Sequence, residues 1–141
     1  MLLDVKNLTK SYRGPDGDVP VLRGVDLQLD TGQTLALTGE SGSGKSTLLH
    51  LVGGLDQPDL GEIWLSGRDV AGLEDARRAE MRRTDVGVLF QQFNLIPSMT
   101  VAANIAFQAR LSDRGDAARE AELARALGLT EQLGKYPEQL S

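Results

Sequence analysis

No cysteine occurs among the 141 residues, which excludes disulfides, thiolate metal sites and a cysteine nucleophile, and fits a reducing compartment. A single histidine, His50, leaves little scope for imidazole chemistry. The formal net charge of −5 lacks the basic excess of a nucleic-acid-binding surface, so no nucleic-acid partner is expected. No apolar run approaches the roughly 18 residues needed to span a bilayer. The opening Met1-Leu2-Leu3-Asp4-Val5 does not read as a signal peptide, lacking a charged stretch followed by an apolar one. Any work at a membrane would have to borrow its membrane part from a partner. There is no internal repeat and no low-complexity tract. What remains is ordinary for a globular chain, with 40% hydrophobic and 25% charged residues, long enough for one domain and a modest core.

Hydrophobic periodicity orders the chain. Residues 3–8 alternate as a strand, and residues 21–29 do so with Val25, Leu27 and Leu29 on one face. Between them Gly14-Pro15-Asp16-Gly17-Asp18 is dense in turn formers and predicts an exposed loop. Residues 34–38 and 86–90 are nearly continuous apolar runs of strand length, the pattern of strands buried on both faces. Ile63-Trp64-Leu65 reads as a further strand, with Trp64 a packing residue rather than a ligand platform. Helices are expected at 45–52, closed by Gly53-Gly54, and at 74–83, where Arg77, Arg78, Arg82 and Arg83 suggest a solvated face. Thr100 is a plausible N-cap for a helix to Leu111; a second helix follows over 116–127, then a short turn near Glu131. The mixed β and α/β part gives way to all-helical character near residue 93, which suggests two subdomains.

The chemistry sits in Gly39-Glu40-Ser41-Gly42-Ser43-Gly44-Lys45-Ser46-Thr47, which fits G-x-x-x-x-G-K-[ST] with an additional glycine. A polyphosphate needs close donors without bulky side chains in the way. Glycines 39, 42 and 44 permit the backbone conformations that bring amides to the oxygens. Successive N–H groups form an anion nest, and the following helix aims its positive dipole end at the same point. Lys45 adds a mobile charge for the outer phosphates, Ser46 a hydroxyl able to ligate Mg²⁺, and Thr47 supports the loop. The position between an apolar strand-like run and a helix is the context the mechanism requires.

Three further stretches extend the pattern: Thr9-Lys10-Ser11-Tyr12, then residues 88–97 with Gln91-Gln92 at their centre, and Tyr136-Pro137-Glu138-Gln139-Leu140-Ser141. With the phosphate motif, they make the chain resemble the N-terminal part of ABC-transporter ATP-binding subunits over essentially all 141 residues. Gly53-Gly54-Leu55-Asp56 and the run through Pro97 are similar to the subfamily serving lipoprotein-releasing and macrolide-export, MacB-type systems. The resemblance implies an α/β P-loop NTPase core with an N-terminal antiparallel β subdomain (about 1–93) and the start of a helical subdomain (about 94–141), incomplete at the C-terminus. It implies Tyr12 as a platform for adenine and Gln91, with Gln92 its close rival, as the Q-loop glutamine that reaches Mg²⁺ and the attacking water. Residues 136–141 would lead into the LSGGQ signature, of which only Leu140 and Ser141 are present.

By the same resemblance the cofactors are ATP and Mg²⁺. The partners are transmembrane permease subunits and a second ATPase copy, or a paired second subunit, around the nucleotide. The protein would lie in the cytoplasm, peripheral on the inner face of the cell membrane. In the family the Walker B aspartate, catalytic glutamate, D-loop and switch histidine lie beyond the signature. This chain is therefore expected to bind rather than hydrolyse ATP, while the intact product hydrolyses it. His50, inside the phosphate-loop helix, reads as a packing or surface residue. Residues 35–37 would lack their usual neighbour in the sheet and present an apolar edge. Alternative readings are a soluble ABC-type ATPase of DNA repair or translation, or a non-catalytic fragment. A small-molecule kinase or GTPase fits poorly, as no N-K-x-D motif is present.

Overall fold

The computed structural model describes residues 1–90 and 94–140. Strands β1 (Leu3–Gly14) and β2 (Gly17–Leu29) form a long antiparallel hairpin, and β3 (Leu60–Leu65) and β4 (Arg68–Asp69) complete a 4-stranded sheet of order β2-β1-β3-β4. The turn-rich segment at 14–18 is tighter than its composition suggests. Gly14 pairs with Gly17, leaving Pro15 and Asp16 as the exposed tip while Asp18 already belongs to β2.

Phase along β1 is corrected locally. Leu3 and Val5 face the core two residues apart, whereas Leu8 follows after three and would point away in a regular strand. The pairing shifts between Val5 and Leu8, where Asn7 takes φ 47 and its N–H donates to Asp26 Oδ1 at 2.8 Å. This irregularity returns Leu8 to the interior, where it is fully buried. Leu3, Val5 and Leu8 pack there with Leu22, Ile63 and Val70 from the sheet side.

Helix α1 (Lys45–Val52) adds Leu48 and Leu51 to this core, and α2 (Asp75–Thr84) adds Met81. The arginines of α2 do not form one solvated face, contrary to the pattern of the sequence. Arg78 is buried, ion-paired with Asp75, and Arg82 donates to the Gly54 carbonyl. Their long apolar stems cover core surface that a purely polar reading of the helix overlooks. Trp64 is partly exposed on β3 and its indole N–H donates to Glu62 Oε2 at 2.8 Å.

Residues 34–38 and 86–90 form no strand, contrary to expectation. Leu35 and Phe90 are exposed and Leu89 is fully so, while Leu37 and Val86 are partly buried against the core. An apolar composition suits a central strand, but a strand exists only where neighbours supply its ladder. A cavity of about 960 Å³ lies beside α2, lined chiefly by Leu3, Leu29, Val52, Leu65, Met81 and Val86.

The chain divides into two compact units, Met1–Gly87 and Val88–Ser141. The second is built from α3 (Val101–Leu111) and α4 (Ala117–Ala126) with short 3₁₀ turns at Thr130–Gln132 and Pro137–Gln139. Helix α3 starts at the Thr100 cap the sequence marks, and α4 at a cap, Asp116, where the sequence places the first helical residue. Thr100 Oγ1 accepts from the Ala103 N–H at 3.2 Å, and Asp116 Oδ1 accepts from Ala118 and Arg119 at 3.0 and 3.2 Å. Val101, Ala106 and Ala124 are the buried apolar ones among the described residues of this unit. Among the described residues no helix is long and apolar enough to cross a membrane.

Candidate nucleotide site

The phosphate motif is an irregular loop that runs into α1 at Lys45. Two of its glycines are required by space as well as by backbone angle. Gly39 has φ +147, and a Cβ there would meet Ser43 Oγ at 2.9 Å. Gly44 has φ +90, and its Cβ would meet Leu22 Cδ2 at 2.8 Å and the Val21 carbonyl at 3.2 Å. At Gly44 the loop thus lies directly against β2, and a side chain there would push it out of position.

Gly44 is also the N-cap of α1, which has no side-chain cap. The first hydrogen bond along the helix is from Leu48 N–H to the Gly44 carbonyl, at 2.9 Å. The amides of Lys45, Ser46 and Thr47 therefore have no partner along the helix, and the helix dipole adds a partial positive charge at the same end. Such a terminus suits an anion.

The ammonium of Lys45 donates to the carbonyls of Gly39 at 2.9 Å and Glu40 at 2.7 Å, and to Ser43 Oγ at 3.2 Å. Its charge is thereby held over the loop. Glu40, Ser41, Gly42, Ser43 and Ser46 are exposed, and Thr47 is half-buried. Amides, one ammonium and an exposed hydroxyl form a donor set whose chemistry fits a polyphosphate with its Mg²⁺. Among the described residues no group of three or more acidic or histidine side chains converges on a metal-sized site.

Tyr12, on β1, joins this region. Its hydroxyl donates to Asp56 Oδ2 at 2.9 Å, and the ring remains partly exposed. Burial raises the Tyr12 pKa, as does the neighbouring Asp56 carboxylate; hydrogen bonding from the Thr47 side chain works the other way. Tyr12 thus lies beside the last residue of the phosphate motif. Asp56 follows the end of α1 and accepts from Lys10 Nζ at 3.1 Å and from the Gln57 N–H at 2.7 Å. Burial opposes ionisation of Asp56, but the bonds from Gln57, Lys10 and Tyr12 outweigh it and hold the pKa below its ordinary value.

Gln91 and Gln92 lie outside the described residues, as does Ser141. His50 is half-buried in the last turn of α1, its carbonyl accepting from the Leu55 N–H at 2.8 Å. Lys10 and Asp56 were not legible as site residues, because no local spacing links a β1 lysine to a carboxylate 46 positions later. Asn104 was missed for a similar reason. Its side chain accepts from Ile96 N–H at 2.8 Å and donates to the carbonyls of Ile96, Met99 and Thr100 at 3.1, 3.0 and 3.1 Å. It pins the segment that follows Gln91 and Gln92 to α3.

The antiparallel subdomain, the loop entering α1 and the tyrosine beside it define a P-loop NTPase of the ATP-binding-cassette kind. The chain belongs to the ABC transporter family, which is matched over residues 22–141. It is 41% identical to the lipoprotein-releasing system ATP-binding protein LolD of Roseobacter denitrificans, with 99% of this chain and 63% of the relative covered. It is also 41% identical to the macrolide export ATP-binding/permease protein MacB of Marinobacter nauticus, covering 99% of this chain and 22% of that protein. Among solved structures, the ATP-binding cassette MJ0796, a dimer in a post-hydrolysis state bound to ADP and Pi, superposes with a TM-score of 0.92 at 33% identity. That match covers 99% of this chain and 63% of the other. The chain therefore spans less than two thirds of the length of each of these relatives.

Proposed function

We propose that the chain is the nucleotide-binding part of an energy-coupling ABC transporter ATPase that works with transmembrane permease subunits. The observation that supports this most is the meeting of Tyr12 with Thr47 and Asp56 beside the 39–47 loop, in a chain of this family. Tyr12 offers its ring to adenine. Gly39, Glu40, Ser41, Gly42, Ser43 and Gly44 wrap backbone donors around the phosphates, and the amides of Lys45, Ser46 and Thr47 complete the nest. Lys45 would leave its loop carbonyls to neutralise the β- and γ-phosphates, and Ser46 would hold the metal. Bound Mg²⁺ supplies charge neutralisation on the phosphate oxygens. Gln91 would contact the metal and orient the water, its neutral amide oxygen suiting a metal ligand.

Two copies would enclose two nucleotides, a reading supported by the relative MJ0796, which is dimeric and bound to ADP and Pi. Closure on ATP would pass movement to the permease from the inner face of the membrane. Phosphate binding requires only donors of the kind assembled in the loop, whereas attack by water also needs a group to activate it. The 141-residue chain alone is accordingly expected to bind MgATP with little turnover, the intact product to hydrolyse it.

Calorimetric titration of MgATP into the wild-type protein and Lys45→Ala tests the proposal. A loss of about 2–5 kcal/mol is expected on removing the lysine from its phosphates. Equal affinities would overturn the site assignment. Phosphate release by the 141-residue chain that Lys45→Ala abolishes would overturn the separation of binding from turnover.

A further inference from the structure

We propose that Asp56, with Lys10, is a positioning residue for the base-binding ring: it locks Tyr12 beside the phosphate loop and so sets how much of the affinity for a nucleotide comes from its base. This rests on the reading of Tyr12 as the adenine platform and adds residues which that reading does not contain.

A half-exposed tyrosine at the surface of a hairpin is free to rotate about two side-chain bonds, and a ring that samples several rotamers loses stacking energy each time it is fixed by a ligand. Here its far end is held. The phenol donates to Asp56 Oδ2 at 2.9 Å, while Oδ1 of the same carboxylate accepts from Lys10 Nζ at 3.1 Å and the Gln57 N–H at 2.7 Å. Both carboxylate oxygens are engaged, so Asp56 has little freedom to turn away. Lys10 is held in turn by the Gln57 carbonyl at 2.6 Å and lies 5.2 Å from the centre of the Tyr12 ring. Its side chain is only 12% exposed, which fixes it as a strut rather than a waving surface charge. A cation at that distance also polarises the ring.

The anchor belongs to the right element. Asp56 lies in the turn that ends α1, a turn fixed by the Leu55 N–H bond to His50 at 2.8 Å, and the phosphate loop lies at the other end of the same helix. The ring is therefore referenced to the helix that carries the phosphate donors, and not only to its own strand. Base platform and phosphate cradle keep a fixed separation, as one nucleotide must touch both.

The test separates base binding from phosphate binding by titrating MgATP and magnesium triphosphate, which has no base, into each variant of the protein. Asp56→Ala is expected to weaken MgATP about 3- to 10-fold, part of the value of one base–aromatic stack, and to leave triphosphate unchanged. Tyr12→Phe, which keeps the ring but loses its anchor, is expected to match it, and the double variant to be no weaker than either alone. Asp56→Asn keeps an acceptor for the phenol but not the charge facing Lys10, and is expected to fall between wild type and Asp56→Ala. It also serves if Asp56→Ala does not fold. Equal losses for MgATP and triphosphate would mean a merely structural role, and no loss for either would mean no role; both overturn the proposal. Tyr12→Ala decides the underlying reading separately, since unchanged MgATP affinity there would remove the platform itself.

Discussion

Lys45 Nζ donates to the Gly39 carbonyl at 2.9 Å, so the first residue of the phosphate motif and its lysine are closed onto one another. Further bonds to the Glu40 carbonyl and Ser43 Oγ make the ammonium a brace for a loop that has no regular structure of its own. A phosphate must compete with those three acceptors. On the proposed reading it would prevail, because a charged oxygen is a stronger partner for an ammonium than a neutral carbonyl.

Gly44→Ala is expected to destabilise the fold by about 1–3 kcal/mol through its left-handed backbone alone. The added methyl would also meet Leu22 and Val21, displacing the start of α1. Denaturant unfolding measures the first effect and MgATP titration the second. Wild-type behaviour in both would show that the loop does not need its close approach to β2.

Acid and alkaline stability should carry the mark of the Tyr12–Asp56 pair. The folded-state pKa of Asp56 is depressed, so its contribution is fully present above the unfolded carboxylate value of about 4 and lost as pH falls through the folded value. For Tyr12 the folded value is raised, so its contribution is present below about pH 10 and lost as pH rises through the folded value. Asp56→Asn should flatten the acid limb of a urea-midpoint profile and Tyr12→Phe the alkaline limb. Variant curves parallel to wild type would contradict both.

Asn104→Ala should cost about 1–3 kcal/mol, because it leaves the Ile96 N–H and the Met99 carbonyl without the side chain that pairs them and removes a second donor from the Ile96 and Thr100 carbonyls. The effect should be local. Hydrogen exchange should quicken at Ile96 and through the first turn of α3, and leave β1 and β2 protected; uniform quickening would argue against a local staple.

Leu35, Leu89 and Phe90 expose apolar surface that water disfavours. The 141-residue chain is expected to bind a hydrophobic dye and to self-associate as concentration rises. A monodisperse, dye-free sample with a cooperative melt would remove that expectation.

What the sequence by itself determined is local. Lys45 to Val52 became a helix because its apolar residues recur at helical spacing and glycines close it; Thr100 and Asp116 became caps because a short side-chain oxygen satisfies amides a few atoms away. The phosphate loop was legible for the same reason, since backbone angle, donor spacing and helix start all fall within nine consecutive residues. Tertiary structure alone decided what depends on distant neighbours. The apolar runs at 34–38 and 86–90 have the composition of buried strands but no ladder here, and Arg78 is buried despite its polar helix. Likewise, only folding brings Tyr12 to a carboxylate 44 residues away. Strand pairing and side-chain networks are properties of contact, and periodicity along one chain specifies which face is apolar, not what will cover it.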